Sequence, residues 1–256
     1  MIKHWLQRYT PGLLGMGLGL GLWQWGHWVY GAFILPSPLH TAQAAWLILT
    51  TPSHVLVMGL TLWRVVIAAS LSLLLGAPLG IMAGYSPFLL KMLQPWVMIL
   101  LGMPAIAWIV LTMLWFGPTH AAVVFTIVVV TLPVIFLGAA EGVLTRDRRL
   151  EDMAAAFGAG RWQQFYRVAL RHIIAQLAPV LAIATALSFK VAIMAELLTN
   201  VSGIGGALAR SRANLAVDEA MAWIALAVMA LLAVEIMALQ PLRRRLQRWR
   251  QWPSGV

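Results

Sequence analysis

The chain has 256 residues, 61% of them hydrophobic and only 10% charged, with a mean hydropathy of +0.84. That is too apolar for a soluble domain and marks an integral membrane protein. A net charge of +10 would also suit a nucleic-acid binder. However, the basic residues fall in loops between apolar runs, as on the cytoplasmic side of membrane proteins. With no cysteine, disulfides, thiolate metal sites and thiol catalysis are excluded.

A span needs about 20 mostly apolar residues. Six candidates follow in chain order: 11–31, 55–84, 91–115, 120–141, 173–198 and 221–240. The first has a basic start like a signal peptide. Its apolar stretch is long for one and no small-x-small site follows, so an uncleaved span is expected. Only helices or closed barrels satisfy the backbone in lipid, and these runs are too long and uniformly apolar for barrel strands. Gly15, Gly17, Gly19 and Gly21 in the first span contain overlapping GxxxG pairs, and Gly76, Gly80 and Gly84 in the second are spaced by four. Such spacing lets helix backbones approach, though glycine is also simply common in membrane helices.

Lys3, Arg8, Lys91, six arginines from Arg146 to Arg171, and Arg243, Arg244, Arg245, Arg248 and Arg250 fall on one side; only Arg210 and Arg212 fall on the other. The positive-inside rule therefore predicts cytoplasmic termini, with 32–54, 116–120 and 199–220 outside. Trp5, Trp23, Trp25, Trp28, Trp249 and Trp252 read as interface anchors.

Arg64 lies near the outer end of the second span and reads as a snorkelling side chain. Lys190 and Glu196 stand six apart on the fifth span, so they do not share a helix face. Two readings of Lys190 stand: a cation facing a pathway, where it would attract an anion, or a structural partner for a carboxylate such as Glu141 or Glu235.

The polar stretch between spans four and five, "RDRRLEDMAAAFGAGRWQQFYRVALRH", has two amphipathic segments. Leu150, Met153, Ala154 and Phe157 lie at i, i+3, i+4, i+7, as do Trp162, Phe165, Tyr166 and Ala169. Glu151 and Asp152 favour the first turn of the first helix, and Gly158-Ala159-Gly160 breaks the pattern. Two short helices on a glycine turn are expected. An interfacial helix and a protein-docking helix look alike at this level.

Catalytic chemistry has no foothold. Three lysines are present and none follows Gly-x4-Gly, so a P-loop is absent. The six histidines are scattered, and there is no H-x3-H or HExxH, no G-x-S-x-G and no clustered carboxylate pair of a catalytic kind. No internal repeat of the kind secondary transporters carry is evident.

"EDMAAAFGAGRWQQFYRVAL" resembles the cytoplasmic loop of ABC importer permeases, which reads E-A-A, three residues, then G. Aligned on Gly158, those positions fall on Asp152, Met153 and Ala154, so the chain reads D-M-A. Arg171 and His172 stand where the family usually has proline. "FILPSPLHTAQAAWLIL", "LTLWRVVIAASLSLLLGAPLGIMAGYS", "MPAIAWIVLTMLWFG" and "AELLTNVSGIGGAL" resemble, in order, segments of the nitrate, sulfonate and taurine branch.

The resemblance implies an all-α membrane protein with the type I ABC importer permease fold: six transmembrane helices, both termini cytoplasmic, in the bacterial inner membrane. It implies a single permease domain over 1–256 with a coupling loop at 142–172. Asp152, Met153, Ala154, Phe157, Gly158, Arg161, Trp162 and Phe165 would meet the ATPase. Glu196 matches a family position and would have a structural or gating role; read from the residues alone, Lys190 is a candidate for the translocation pathway, as are Trp108 and Trp115, for which packing is the default reading. The implied partners are two ATPase subunits carrying ATP and Mg, a second copy of the chain, a periplasmic or lipid-anchored substrate-binding protein, and membrane lipid. No cofactor and no nucleic acid is expected on this chain. The solute would be a small anion such as nitrate, taurine or another sulfonate. The alternative class is a secondary transporter or channel that works without ATP.

Overall fold

The computed structural model describes residues 2–241. The basic cluster Arg243, Arg244, Arg245, Arg248 and Arg250, with Trp249 and Trp252, lies outside the described residues, as do the side chains of Lys3, Trp5 and Arg8.

Every regular element described is helical. The helices are α1 (Ile2–Tyr30), α2 (Pro38–Thr50), α3 (Pro52–Tyr85), α4 (Pro87–Gly102), α5 (Ala105–Phe116) and α6 (His120–Leu144). After them come α7 (Arg148–Ala156), α8 (Arg161–Gln164), α9 (Leu170–Thr199), α10 (Ile204–Ala213) and α11 (Val217–Val234). Two short π-helical turns, Phe165–Ala169 and Glu235–Leu239, carry α8 into α9 and extend α11. Three helices start on Ser-Pro or Thr-Pro pairs. Proline is tolerated at the first helical position, where its missing N–H is not needed. Ser37 accepts from the His40 amide at 3.2 Å and Ser86 from the Leu89 amide at 3.3 Å, capping α2 and α4, while Thr51 both ends α2 and precedes α3.

Among the described residues, four helical stretches are long and apolar enough to cross a membrane: Pro52–Tyr85, His120–Leu144, Arg161–Thr199 and Val217–Met237. The expected third span, 91–115, is not one straight helix. It is the pair α4 and α5, bent by 94° at Met103-Pro104. The bend follows from Pro104, which disfavours helical backbone at the residue before it. The first expected span lies on α1, whose 29 residues are long enough, but whose glycines, Gln24 and His27 make it less apolar than those four.

The bundle is built around α6, which packs against both α3 and α9. Small residues set the closeness on each side. A Cβ on Gly76 would stand 2.9 Å from the Leu132 carbonyl oxygen, and one on Gly80 would strike that of Phe136. On the other face, a Cβ on Gly138 would come within 2.6 Å of Val180. The glycine stripe of the second span therefore works as a contact surface. That of the first span makes no such contact within the chain: nothing lies within 4 Å of a Cβ at Gly15, Gly17, Gly19 or Gly21. Hydroxyls tie the helices further, Ser72 to Thr131 at 2.7 Å and Thr112 to Thr126 at 2.7 Å.

A second apolar cluster joins α2, α10 and α11 through Ala45, Ile48, Ile204, Trp223 and Leu226. The segment 32–54 is thus largely a packed helix rather than an open loop.

Candidate functional site

The polar segment between α6 and α9 is fixed at its base by Arg146. Its Nε donates to Glu151 at 2.9 Å and its Nη1 to the Val143 carbonyl at 2.9 Å. Its guanidinium lies 4.4 Å from the centre of the Tyr85 ring, at the end of α3. The first helix begins two residues earlier than the apolar pattern shows, because Asp147 accepts from the Arg149 amide at 3.0 Å and caps it. Glu151 is held by Arg146 as well as sitting in the first turn.

Gly158 has a positive φ of 83°. The turn closes with bonds from the Gly158 amide to Ala155 at 2.9 Å and from the Ala159 amide to Ala154 at 3.0 Å, a glycine-terminated helix end. The Gln164 side chain reaches back to the Ala159 carbonyl at 2.7 Å. The expected second short helix is not separate. It runs from Arg161 through the π turn into α9, a continuous helical stretch of 39 residues to Thr199. No proline stands at Arg171 and His172 to interrupt it.

The candidate residues divide by face. Asp152, Phe157, Gly158, Arg161 and Trp162 are exposed, Phe157 at 86% and Trp162 at 73%. Tyr166 joins them at 60%, with its ring 6.1 Å from that of Trp162. Phe165 is half-buried, its ring 6.3 Å from Tyr85. It anchors the segment to α3. Met153, also exposed, and the half-buried Ala154 border a cavity of about 330 Å³ shared with Arg167 and Arg171 at the foot of α9. Sequence reasoning missed Arg146 and Tyr85. Their partners are set by the fold, and only the aromatic end of the second span hinted at a contact.

Arg64 does not snorkel. It is buried at 3% exposure and ion-paired with Glu196, which is wholly enclosed. The reason is packing: α3 faces α9 at this level, so a carboxylate is nearer than water. Thr61 donates to the same carboxylate at 2.8 Å, and Arg64 donates to the Ser202 carbonyl at 2.6 Å and meets the His120 ring.

Lys190 is exposed on a different face of α9. It borders a cavity of about 560 Å³ whose other walls include Ile183, Phe189, Ile193, Val228 and Leu231. Neither of the ion pairs Arg64–Glu196 and Arg146–Glu151 involves Lys190, and Lys190 pairs with neither Glu141 nor Glu235. Trp108 is half-buried with its indole N–H unmatched, and Trp115 is exposed, edge-on to Phe125 at 6.3 Å. Among the described residues no group of histidines and carboxylates could hold a metal.

An all-helical, multi-pass bundle with a polar helical segment between two spans is consistent with a membrane permease. Residues 76–249 match the family of binding-protein-dependent transport system inner membrane components, and the chain belongs to it. A relative named as an aliphatic sulfonates transport permease protein, SsuC of Escherichia coli (strain K12), is 29% identical over 97% of this chain and 94% of its own length. The taurine transport system permease protein TauC of the same strain is 26% identical over 75% of this chain and 72% of its own. The riboflavin transport system permease protein RibX of Chloroflexus aurantiacus is 30% identical over 95% of this chain and 93% of its own. The chain is thus an ABC importer permease of the nitrate, sulfonate and taurine branch. Permeases of this family are not themselves enzymes.

Proposed function

We propose that this permease crosses the bacterial inner membrane six times, with α1, α3, the bent pair α4–α5, α6, α9 and α11 as spans and both termini in the cytoplasm. Two copies form one pathway. A separate ATPase, with its ATP and Mg, docks on residues 150–170 of each copy, and a soluble binding protein delivers the solute outside. The observation that carries this reading is the turn at Gly158. Phe157, Trp162 and Tyr166 stand exposed around a rigid, positive-φ glycine, on a lever continuous with a membrane span. Exposed aromatic side chains at a fixed turn are what a docking partner buries. A stiff helix transmits displacement of its end to the span it continues.

The solute is a small anion. Lys190 is the cation that supports this, because it borders an apolar cavity without a carboxylate partner among the described residues. An ionisable side chain so placed marks a solute path or a site completed by another chain. The relatives named for sulfonates, taurine and nitrate fit an anion. The relative named for riboflavin means that the charge of the cavity, not family membership, bears the argument.

The test is to purify tagged chain from native membranes in mild detergent and identify what accompanies it, comparing wild type with Gly158→Val. An ATPase should co-purify with the wild type and be lost from the variant. A wild-type chain that purifies alone and moves solute in liposomes without ATP would overturn the proposal.

A further inference from the structure

The buried charges at the end of α9 hold more than the bundle. The Ile204 amide donates to Thr61 Oγ1 at 2.8 Å, and the Gly205 amide donates to Glu196 at 3.0 Å. These are among the first amides of α10, which have no partner in their own helix. A carboxylate beside them also faces the positive end of the helix dipole. Arg64 adds its bond to the Ser202 carbonyl, just before the helix. Asn200, left-handed at φ 54°, turns the chain between α9 and α10.

The glycines of "SGIGG" permit this seating. A Cβ on Gly203 would fall on the Glu196 carboxylate, one on Gly205 on the Ile193 carbonyl oxygen, and one on Gly206 on the Val201 carbonyl oxygen. Hydrophobic packing alone would fix a helix at lower desolvation cost than a buried ion pair. What the pair adds is one register for α10. That register sets where Arg210 and Arg212 stand, both exposed, followed by Leu215 at φ 56° and 68% exposed. In the segments placed outside, 32–54 and 199–220, the charged side chains are these two arginines, in the last turn of α10, and Asp218 and Glu219, in the first turn of α11.

Resting on the importer reading, we infer that Thr61, Arg64 and Glu196 are positioning residues that hold α10 as a fixed arm, presenting Arg210 and Arg212 to an acidic surface of the external binding protein. The arm would be useless if it rocked, because charge complementarity selects an orientation only when the charges are held.

Thr61→Val removes the acceptor for the Ile204 amide and the donor to Glu196 while keeping the side-chain shape; Thr61→Ser keeps both. The complete complex of chain and ATPase is placed in lipid nanodiscs and titrated with the transporter's own soluble binding protein. ATP hydrolysis is followed, together with amide hydrogen exchange over residues 204–207. In Thr61→Val, exchange at Ile204 and Gly205 should rise about 10- to 100-fold, the cost of an orphaned buried amide. The half-saturating binding-protein concentration should rise about tenfold, with the maximal rate changed less than about twofold. Thr61→Ser should restore both. Faster exchange with an unmoved half-saturation would overturn the positioning role, and unchanged exchange would overturn the clamp itself. If the wild-type complex shows no stimulation by the binding protein, the importer reading falls and the inference with it. That failure is distinguishable because it needs no substitution.

Discussion

Arg64 and Glu196 bring opposite full charges into an apolar interior, and their worth depends on both being present. Removing one partner leaves the other buried and uncompensated, at a cost of about 3–5 kcal/mol. Arg64→Ala or Glu196→Ala should therefore lower the thermal unfolding temperature in detergent sharply. The double variant Arg64→Met, Glu196→Met should recover most of the loss. Recovery no better than either single variant would show that the bonds to Ser202 and Gly205, not the pairing, carry the stability. The glycines make a second contrast at this scale. Gly80→Ala should destabilise by about 1–3 kcal/mol, because its Cβ meets the Phe136 carbonyl. Gly17→Ala meets nothing within 4 Å and should be neutral, or stabilise by about 0.5–1 kcal/mol. Both positions read alike in the sequence, as glycine at GxxxG spacing. Only the neighbour across the helix separates them. Arg64 was misread for the same reason. Its partner is 132 residues away, and span position alone made water look closer than a carboxylate.

At the scale of elements, the polar segment between α6 and α9 was the most legible part of the chain. The i, i+3, i+4, i+7 pattern located α7, and the glycines located its end. The continuation of the second segment into α9 was not legible, because an amphipathic face ending at Ala169 and an apolar span beginning near 173 look like two helices. The π turn joins them by shifting the face without breaking the helix. The bend in the third span was hidden differently: Met103-Pro104 sits inside an unbroken apolar run, and length alone favoured one crossing. Gly158 supports a graded prediction. Its Cβ position is open, so size is not the obstacle; its φ of 83° is. Gly158→Asn should retain the ATPase, since asparagine tolerates left-handed backbone. Gly158→Val should lose most of it, at a cost of roughly 1–2 kcal/mol in the turn. Equal retention in co-purification would show that the turn's conformation is not what the partner reads. Arg146→Ala should also weaken co-purification, by removing the link from Glu151 of α7 to the end of α6 and to Tyr85.

For the whole molecule, charge is distributed by task. The polar segment between α6 and α9 collects arginines, α10 carries two, the Arg64–Glu196 pair is neutralised inside the bundle, and Lys190 is left on an apolar wall. Because this lysine has no carboxylate partner among the described residues, its charge is available to a solute or to a second copy of the chain. The two alternatives give opposite results for Lys190→Gln. If the lysine meets an anion in transit, uptake into proteoliposomes of taurine, methanesulfonate or nitrate should fall about tenfold or more, in line with about 1–4 kcal/mol for a charge pair at 4 Å. The yield of dimer and of co-purified ATPase should stay at wild-type level. If the lysine pairs across a dimer interface, the dimer itself should weaken, and uptake of charged and uncharged solutes should fall together. Selective loss of anion uptake with an intact complex would place the pathway along α9 and α11. Loss of assembly would move it away from this cavity and make Lys190 part of what holds the two copies together.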